Sequence, residues 1–166
     1  PPDSLKEPMI KLMIATPFYL PHNAFVPYLE SLLNSIAVLQ GAGVDFIYCQ
    51  ISGDSYVERV KNTICARFLE SDCTDLMMID PDMAWDIQAI GRMITAPYEL
   101  VGAAYPVKNN WENYGCLINH DPNPPYHPIV DPATGLISAA WMPGGFWRIK
   151  RSCLEKMREA LKDEWY

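Results

Sequence analysis

The 166-residue sequence has no apolar run that approaches the ~20 residues needed to cross a bilayer. Its first residues show no signal-peptide pattern either. Basic residues are few, with 13 Lys and Arg against 20 Asp and Glu, which gives a formal net charge of −7. A surface of that sign repels phosphate backbones. We therefore expect a soluble protein with no transmembrane segment and no nucleic-acid partner.

The cysteine spacing also indicates neither a disulfide framework nor a zinc site. The five cysteines are odd in number, scattered along the chain and without a C-x-x-C pair. Because free cysteine is usually buried, we expect most of them to be reduced core residues in a reducing compartment. The 15 Pro and 9 Gly are too few for a fibrous or disordered chain, and no internal repeat is visible.

Apolar strand-like runs alternate with amphipathic helices over residues 9–104, which is typical of a sheet assembled from βα units. The predicted strands are 9–15, 44–51, 76–79 and 99–105, and the predicted helices are 24–40, 55–70 and 86–95. Beyond residue 106 we expect a long structured loop, since seven of the fifteen prolines lie between Pro106 and Pro143. Strands at 136–141 and 146–149 and a helix at 151–162 complete the prediction.

The pattern predicts a single α/β domain over residues 1–166, a Rossmann-like α/β/α sandwich with a mainly parallel central sheet and a loop-rich C-terminal part. In the first helix the apolar residues at helical spacing are Phe25, Leu29, Leu32, Leu33 and Ile36. The second helix has an S-x-x-E capping box at residues 55–58. Its predicted core face carries Val57, Val60, Ile64 and Phe68, and its opposite face carries Ser55, Arg59 and Asn62.

The segment Asp80-Pro81-Asp82 directly follows the third predicted strand. In open α/β sheets ligands bind at the carboxyl ends of strands, and two carboxylates one residue apart suit a hard cation such as Mg²⁺ or Mn²⁺. A second interpretation is a polar turn whose carboxylates cap the next helix. Both interpretations remain open from the local sequence.

The residues around this segment carry a more specific pattern. The stretch DLMMIDPDMAW at residues 75–85, followed by LVGAAYPVK at 100–108, resembles glycosyltransferases of the GT-A fold with a D-x-D motif, most of all the small viral and bacterial members. Three further pieces look similar in the same order, namely ATPFY at 15–19, RVKN at 59–62 and PGGFWRI at 143–149. The resemblance implies a GT-A-like domain with a nucleotide-binding half (9–106) and an acceptor or sugar-side half (107–166), located in the cytoplasm, or the host cytoplasm if viral.

The resemblance also implies roles for individual residues. Asp82 would coordinate a divalent metal, Mn²⁺ or Mg²⁺, that bridges the donor's diphosphate, while Asp80 would hold the ribose or a metal-bound water. A later histidine, His127 or His120, would be a further metal ligand. The residues expected to bind the nucleotide cofactor are Thr16, Pro17, Tyr19, Arg59, Asn62, Asp80 and Lys108.

Each of these residues also has a structural interpretation. Arg59, Asn62 and Lys108 are equally consistent with solvated surface, and Thr16 and Pro17 with a strand end. The Gly144-Gly145 pair is consistent with a tight turn. The aromatic residues of the second half suit either a core or a platform for sugar rings; they are Trp111, Tyr114, Tyr126, Trp141 and Trp147.

Together these features predict a metal-dependent glycosyltransferase that moves a sugar from a nucleoside-diphosphate sugar to a hydroxyl group of a glycan or small-molecule acceptor. An inverting reaction needs a carboxylate base, and the candidates are Asp131, Asp121 and Glu112. Two alternatives remain open, a non-catalytic nucleotide-sugar or carbohydrate-binding module and a nucleotidyltransferase. The first strand lacks the glycine-rich basic loop that a triphosphate needs, which disfavours the nucleotidyltransferase. Because the chain is short for the fold, both a minimal enzyme and one domain of a longer protein fit.

Overall fold

A five-stranded sheet forms the centre of the computed structural model, which describes residues 9–20, 25–108 and 110–162. Residue 24, the predicted start of the first helix, lies outside the described residues. In chain order the elements are β1 (Lys11–Phe18), α1 (Val26–Gly41), β2 (Asp45–Ser52), α2 (Val57–Glu70), β3 (Asp75–Ile79), α3 (Ala89–Thr95), β4 (Leu100–Gly102), β5 (Pro106–Val107), β6 (Asn110–Tyr114), β7 (Leu117–Ile118), β8 (Ala139–Trp141), β9 (Phe146–Lys150) and α4 (Arg151–Ala160).

The central sheet has the strand order β2-β1-β3-β9-β4. Strand β1 runs parallel to β2 and β3, and β9 runs antiparallel to β3 and β4. Four strands therefore point the same way and β9 points the opposite way. The mainly parallel α/β sheet predicted from the sequence is confirmed.

Helices cover both faces of the sheet and enclose two hydrophobic cores. One core contains residues of α1 and α3, and the other contains residues of α2 and α4. Leu12 and Ile14 of β1 belong to the first core, whereas Met13 and Ala15 belong to the second. This alternation follows from the two-residue period of a strand. The result is the predicted three-layer arrangement.

Strand β1 extends beyond its predicted end. The sequence predicts a strand over residues 9–15, whereas β1 continues through Pro17 to Phe18. Its pairing with β3 ends at Ala15 and Met78, so the extension pairs with β2 alone. Proline, which has no amide proton, is tolerated where a strand has a neighbour on one side only. The extension carries Pro17 and Phe18 to the sheet edge at which β3 also ends.

Helix α1 buries polar as well as apolar side chains. Leu29 and Leu33 are 42% and 65% exposed, although they have helical apolar spacing. Ser35 accepts a hydrogen bond from Nε1 of Trp85 (2.8 Å), and Ser31 accepts one from the Trp85 backbone N–H (3.1 Å). The loop after residue 82 is thereby fixed to α1. The buried residues of the helix are Tyr28, Ser31, Leu32, Ser35 and Leu39.

Helix α2 begins without the predicted capping box. Its N-cap is Tyr56, which makes no side-chain cap bond. The Asp54 carboxylate instead accepts a hydrogen bond from the Tyr56 backbone N–H (2.9 Å), because an aspartate in a turn readily bonds the amide two residues on. The predicted core face is confirmed for Val60, Ile64 and Phe68, which are buried. It is wrong for Val57, the first residue of the helix, which is 44% exposed.

The region predicted as a long loop contains short strands. Strands β5 and β6 form one two-stranded sheet, and β7 and β8 form another. Isolated bridges also join His120 to Pro128 and Val130 to Ile137. Strand β8 lies within the strand predicted at 136–141. Strands β5, β6 and β7 were not predicted, because strands of two to five residues leave almost no periodic signal in the sequence.

The sequence also predicts reduced cysteines and no transmembrane segment. All five cysteines are free, and Cys65 and Cys73 are buried while the other three are partly exposed. Burial raises the pKa of the Cys65 thiol to about 11. Within residues 9–20, 25–108 and 110–162, no helix is long and apolar enough to span a membrane.

Candidate active site

A cleft of about 230 Å³ opens where β1 and β3 end. Its lining comes from three segments: the end of β1, the start of α2 with the loop before it, and residues 80–82, here called the acidic turn. Ligands of open α/β sheets bind at this edge. The structure therefore brings together four residues singled out from the sequence, namely Pro17, Tyr19, Asp80 and Asp82.

Backbone hydrogen bonds fix the acidic turn on both sides. The Met83 N–H donates to the Asp80 carbonyl (3.2 Å) and closes the turn. The Asp80 N–H donates to the carbonyl of Gly145 (2.8 Å), and the Phe25 N–H donates to that of Pro81 (3.3 Å). The two carboxylates therefore project from a backbone that is held by other segments of the chain.

The carboxylates of the acidic turn do not cap a helix. Helix α3 begins only at Ala89, and its N-cap, Gln88, makes no side-chain cap bond. Asp86, not the acidic turn, accepts the hydrogen bond from the Gln88 backbone N–H (2.8 Å). The capping interpretation is therefore wrong for Asp80 and Asp82.

Lys61 of α2 connects Asp80 to the turn before β9. Its Nζ lies 2.9 Å from Oδ1 of Asp80 and donates a hydrogen bond to the carbonyl of Gly144 (2.8 Å). The side chains of Lys61 and Asp80 are 20% and 27% exposed. This lysine neutralises Asp80 in a partly buried position, where an unpaired carboxylate would be unfavourable.

Gly145 is required by close packing and not by a turn conformation. Neither Gly144 nor Gly145 is among the glycines with positive φ in the described chain. A Cβ on Gly145 would lie 2.3 Å from the Tyr105 hydroxyl oxygen and 3.1 Å from Oδ2 of Asp80. The Gly145 N–H donates to that hydroxyl (2.8 Å). Burial, reinforced by the charges of Asp80 and Asp82, raises the pKa of the Tyr105 phenol.

The other two carboxylates of the cleft also have basic partners. Lys108 forms an ion pair with Oδ2 of Asp82 through a short contact, and this raises the pKa of Lys108. Arg59 binds Asp54 in a bidentate manner, with Nε 2.5 Å and Nη2 2.7 Å from the two carboxylate oxygens. The guanidinium holds the pKa of Asp54 at about 2.

The cleft therefore contains three acid–base pairs, Asp54–Arg59, Asp80–Lys61 and Asp82–Lys108. Every acidic side chain of its lining has its own cationic partner. The local formal charge is balanced, although the whole chain carries −7. This balance reduces the electrostatic penalty for an anionic ligand at the cleft.

The predicted set of three metal ligands does not form. Within residues 9–20, 25–108 and 110–162, no group of three or more His, Cys, Asp or Glu side chains is close enough to hold an ion. His127 does not join Asp80 and Asp82; it lies on an exposed loop, where its carbonyl accepts a hydrogen bond from the Asp121 N–H (2.9 Å). This local backbone pairing fixes His127 within its own loop and not at the end of β3.

Two carboxylates still fit one kind of metal site. Mg²⁺ is usually bound through one or two carboxylates, with substrate phosphates and water as the other ligands. Oδ1 of Asp80 is buried and, despite its contact with Lys61, has no hydrogen bond of proper geometry. Asp82 is 46% exposed and accessible. The residues fit a cation that arrives with a diphosphate, and they do not fit one held by the protein alone.

Several predicted nucleotide-binding residues lie outside the cleft lining. Thr16 is fully buried, and its hydroxyl is hydrogen-bonded to that of Tyr28 (2.5 Å), so it belongs to the core. Asn62 is exposed on α2. Arg59 and Lys108 reach the cleft through their ion pairs with lining carboxylates. The correction for Thr16 follows from the strand extension, which makes it an interior residue of β1.

The predicted bases are also outside the lining. Asp131 accepts hydrogen bonds from the hydroxyls of Thr134 (2.5 Å) and Tyr98 (2.7 Å), which lower the pKa of its carboxyl. A carboxylate with a lowered pKa is a weak general base. Glu112 is exposed on β6. Neither residue lines the cleft that contains Asp80 and Asp82.

Most of the second-half aromatic residues are exposed, which argues against the core interpretation. Tyr114, Tyr126 and Trp141 are 50%, 59% and 57% exposed. Trp147 is partly buried, and its Nε1 donates to the carbonyl of Gly144 (3.0 Å). The side chain of Trp111 lies outside the described part of the chain.

Sequence reasoning missed three residues of this site, Lys61, Tyr105 and Asp54. Lys61 and Tyr105 lie within stretches that carry the family resemblance, but their partners come from distant segments. Asp54 had a local signal, since an aspartate five residues before an arginine can pair with it across the first turn of a helix.

Comparisons with known proteins give little beyond this geometry. No family model matches the sequence, and no curated protein matches it. One solved structure that is similar is a glycosyltransferase involved in the glycosylation of the major capsid of PBCV-1. It is 12% identical, with a TM-score of 0.45 over 92% of this chain and 67% of that chain. A likeness this distant carries no weight in the assignment below.

Proposed function

We propose that this protein is a metal-dependent glycosyltransferase of the GT-A type, which moves a sugar from a nucleoside-diphosphate sugar to a hydroxyl group of a glycan or small-molecule acceptor. The position of the acidic turn carries the proposal. Two carboxylates, one residue apart, line a cleft where β1 and β3 end. That edge is where an open α/β sheet binds nucleotides.

The lining of the cleft suits part of a nucleotide. Pro17 and Tyr19 provide apolar and aromatic surface, and Tyr19 is 61% exposed, so its ring is available to a base. The volume of about 230 Å³ is below the ~300–1,000 Å³ of pockets that enclose a whole ligand. The cleft accommodates a portion of the donor, and the sugar would extend over the second half of the domain.

The chemistry requires stabilisation of a leaving diphosphate. When the bond between the anomeric carbon and the phosphate oxygen breaks, negative charge grows on that oxygen. Asp82, with Asp80 beside it, would hold a divalent cation, which would supply Lewis-acid stabilisation worth several kcal/mol. Lys61 and Lys108 contribute positive charge next to the same carboxylates.

A non-catalytic nucleotide-sugar-binding module is the second candidate. The observation that favours it is the absence of Asp131 and Glu112 from the cleft lining. An inverting transferase needs a base near the acceptor hydroxyl, whereas a retaining enzyme does not need that base. The two candidates therefore differ in turnover and not in donor binding.

Donor binding can be tested by thermal shift with a panel of nucleoside diphosphates and nucleotide sugars, each with and without Mn²⁺. A ligand that binds the folded state raises the melting temperature. We expect a rise that requires Mn²⁺ and is lost in Asp82→Asn. The matched control is Asp45→Asn, since Asp45 is an exposed carboxylate paired with a lysine (3.7 Å) far from the acidic turn in sequence.

The outcome separates the candidates. Mn²⁺-dependent binding accompanied by donor hydrolysis or transfer supports the transferase, and the same binding without turnover supports the module. If no compound of the panel shifts the melting temperature with Mn²⁺, or if Asp82→Asn and Asp45→Asn behave alike, the proposed function is wrong.

A further inference from the structure

The three ion pairs of the cleft differ in how firmly the basic residue is held. Arg59 makes two hydrogen bonds to Asp54, and its guanidinium lies 5.0 Å from the ring centre of Tyr56. Lys61 contacts both Asp80 and the carbonyl of Gly144, and its side chain is 20% exposed. These two basic residues are fixed by more than one interaction.

Lys108 is held much less firmly. Its hydrogen-bond partner in the described chain is the Asp82 carboxylate, and its side chain is 83% exposed. It follows β5, outside the central sheet. Exposed lysine–carboxylate pairs are weak because water solvates both charges and the long side chain loses conformational freedom. Of the three carboxylates, Asp82 therefore has the partner that is easiest to displace.

A divalent cation at Asp82 competes with Lys108 for the same site. The ammonium already lies against Oδ2, so a second cation there faces both a blocked oxygen and electrostatic repulsion. An incoming diphosphate changes this balance, since its oxygens offer the released ammonium a new anionic partner. Lys108 can therefore pair with Asp82 when the cleft is empty and with the diphosphate when the nucleotide and the cation are bound.

We propose that Lys108 is a built-in counter-ion of Asp82, displaced by the divalent cation and transferred to the diphosphate of the incoming nucleotide. The inference rests on the proposed function, because it concerns the same cleft. It makes cation binding and nucleotide binding cooperative: the cation alone must displace the lysine without compensation, whereas the cation with a diphosphate leaves the lysine paired. Lys61 keeps its position on Asp80 throughout.

The proposal predicts effects of opposite sign for one substitution. In Lys108→Gln, Mn²⁺ alone should bind about two- to fivefold more tightly than in the wild type, because the competing ammonium is gone. The signal of free Mn²⁺ in electron paramagnetic resonance measures this affinity. UDP, GDP and ADP titrated calorimetrically at saturating Mn²⁺ should show that the nucleotide the wild type binds is held about fivefold or more weakly by the variant.

Lys156→Gln is the matched control. Lys156 pairs with Glu99 at 2.8 Å, and these side chains are 70% and 43% exposed, against 83% and 46% for Lys108 and Asp82. Both substitutions remove one positive charge from an exposed pair. The control should change both affinities by less than about 1.5-fold, as expected for a screened distant charge.

The results distinguish this inference from the proposed function. If the wild type binds both Mn²⁺ and a nucleotide but Lys108→Gln matches Lys156→Gln, the counter-ion proposal is overturned and the function stands. If the nucleotide binds equally well without Mn²⁺ and Lys108→Gln abolishes that binding, the lysine replaces the metal, and the displacement step is wrong. If the wild type binds neither ligand, both proposals fall.

Discussion

The two carboxylates of the acidic turn are separated by one residue but have different surroundings. Asp80 is surrounded by Lys61, Gly145 and Tyr105, and its side chain is 27% exposed. Asp82 is 46% exposed and contacts a lysine that is itself 83% exposed. The surroundings assign Asp80 to holding the turn in place and leave Asp82 available for ligands. A D-x-D spacing alone does not reveal this division.

The largest effect on stability is expected for a substitution in the surroundings of Asp80. Gly145→Ala would place a Cβ 2.3 Å from the Tyr105 hydroxyl and 3.1 Å from Asp80 Oδ2, so side chains around Asp80 must shift. We expect the free energy of unfolding, measured by urea denaturation, to fall by about 1–3 kcal/mol. Gly91→Ala is the control, because Gly91 lies in α3 and its added Cβ would meet no atom beyond its chain neighbours and its own helix backbone within 4 Å.

The control should be neutral or stabilising by up to about 1 kcal/mol, since alanine is the better helix former. Equal effects of Gly145→Ala and Gly91→Ala would contradict the close packing around Asp80.

The next largest effect on stability is expected when Lys61 and Lys108 are each replaced. Lys61→Met leaves the partly buried Asp80 carboxylate without its cation, and we expect the free energy of unfolding to fall by about 1–2 kcal/mol. Lys108→Met removes an exposed pair, which contributes about 0–1 kcal/mol. Urea denaturation of both variants measures the difference directly. If the free energy of unfolding falls as much in Lys108→Met as in Lys61→Met, the surroundings of Asp80 and Asp82 do not differ in the way described.

The smallest effect expected in the surroundings of Asp80 concerns the Tyr105 hydroxyl, which packs beside this carboxylate. Tyr105→Phe removes the acceptor of the Gly145 N–H and should cost about 1 kcal/mol of unfolding free energy at pH 7. It should also change the alkaline behaviour. Because the pKa of Tyr105 is raised in the folded state, its contribution is fully present below the unfolded value near 10 and is lost as the pH rises through the folded value.

Urea midpoints between pH 7 and pH 11 test this sign. The wild type should lose stability more steeply above pH 10 than Tyr105→Phe does, whereas Tyr126→Phe, at a side chain that is 59% exposed, should follow the wild type. A steeper decline in Tyr105→Phe than in the wild type would show that burial does not disfavour the ionised phenol.

The sequence predicted the parts of the fold that depend on local pattern. The alternation of apolar runs identified β1, β2 and β3, and the spacing of Val60, Ile64 and Phe68 identified the core face of α2. Helix α1 was less predictable, since Ser35 is buried only because Trp85 reaches it from another segment. In the small sheets of the second half, β8 falls within the predicted strand 136–141, whereas β5, β6 and β7 were missed because they are too short to show a period.

The candidate site was also predictable only in part. Asp80 and Asp82 were identified because they follow a continuously apolar strand, and that order places them at the sheet edge. Lys61 was missed because its partner Gly144 is 83 residues away, and no local pattern records that contact. Thr16 lies outside the cleft lining because β1 continues past it to Phe18, which leaves the Thr16 side chain buried within the strand. Roles that depend on long-range contacts require the three-dimensional structure.

The most direct test is a crystal grown with Mn²⁺ and the nucleoside diphosphate that gives the largest Mn²⁺-dependent thermal shift. Manganese scatters anomalously, so its position can be determined independently of the surrounding density. We predict an anomalous peak about 2 Å from a carboxylate oxygen of Asp82, with Lys108 moved from Asp82 to a phosphate oxygen. A nucleotide bound elsewhere, or an Asp82 still paired with Lys108 and without manganese, would contradict the account.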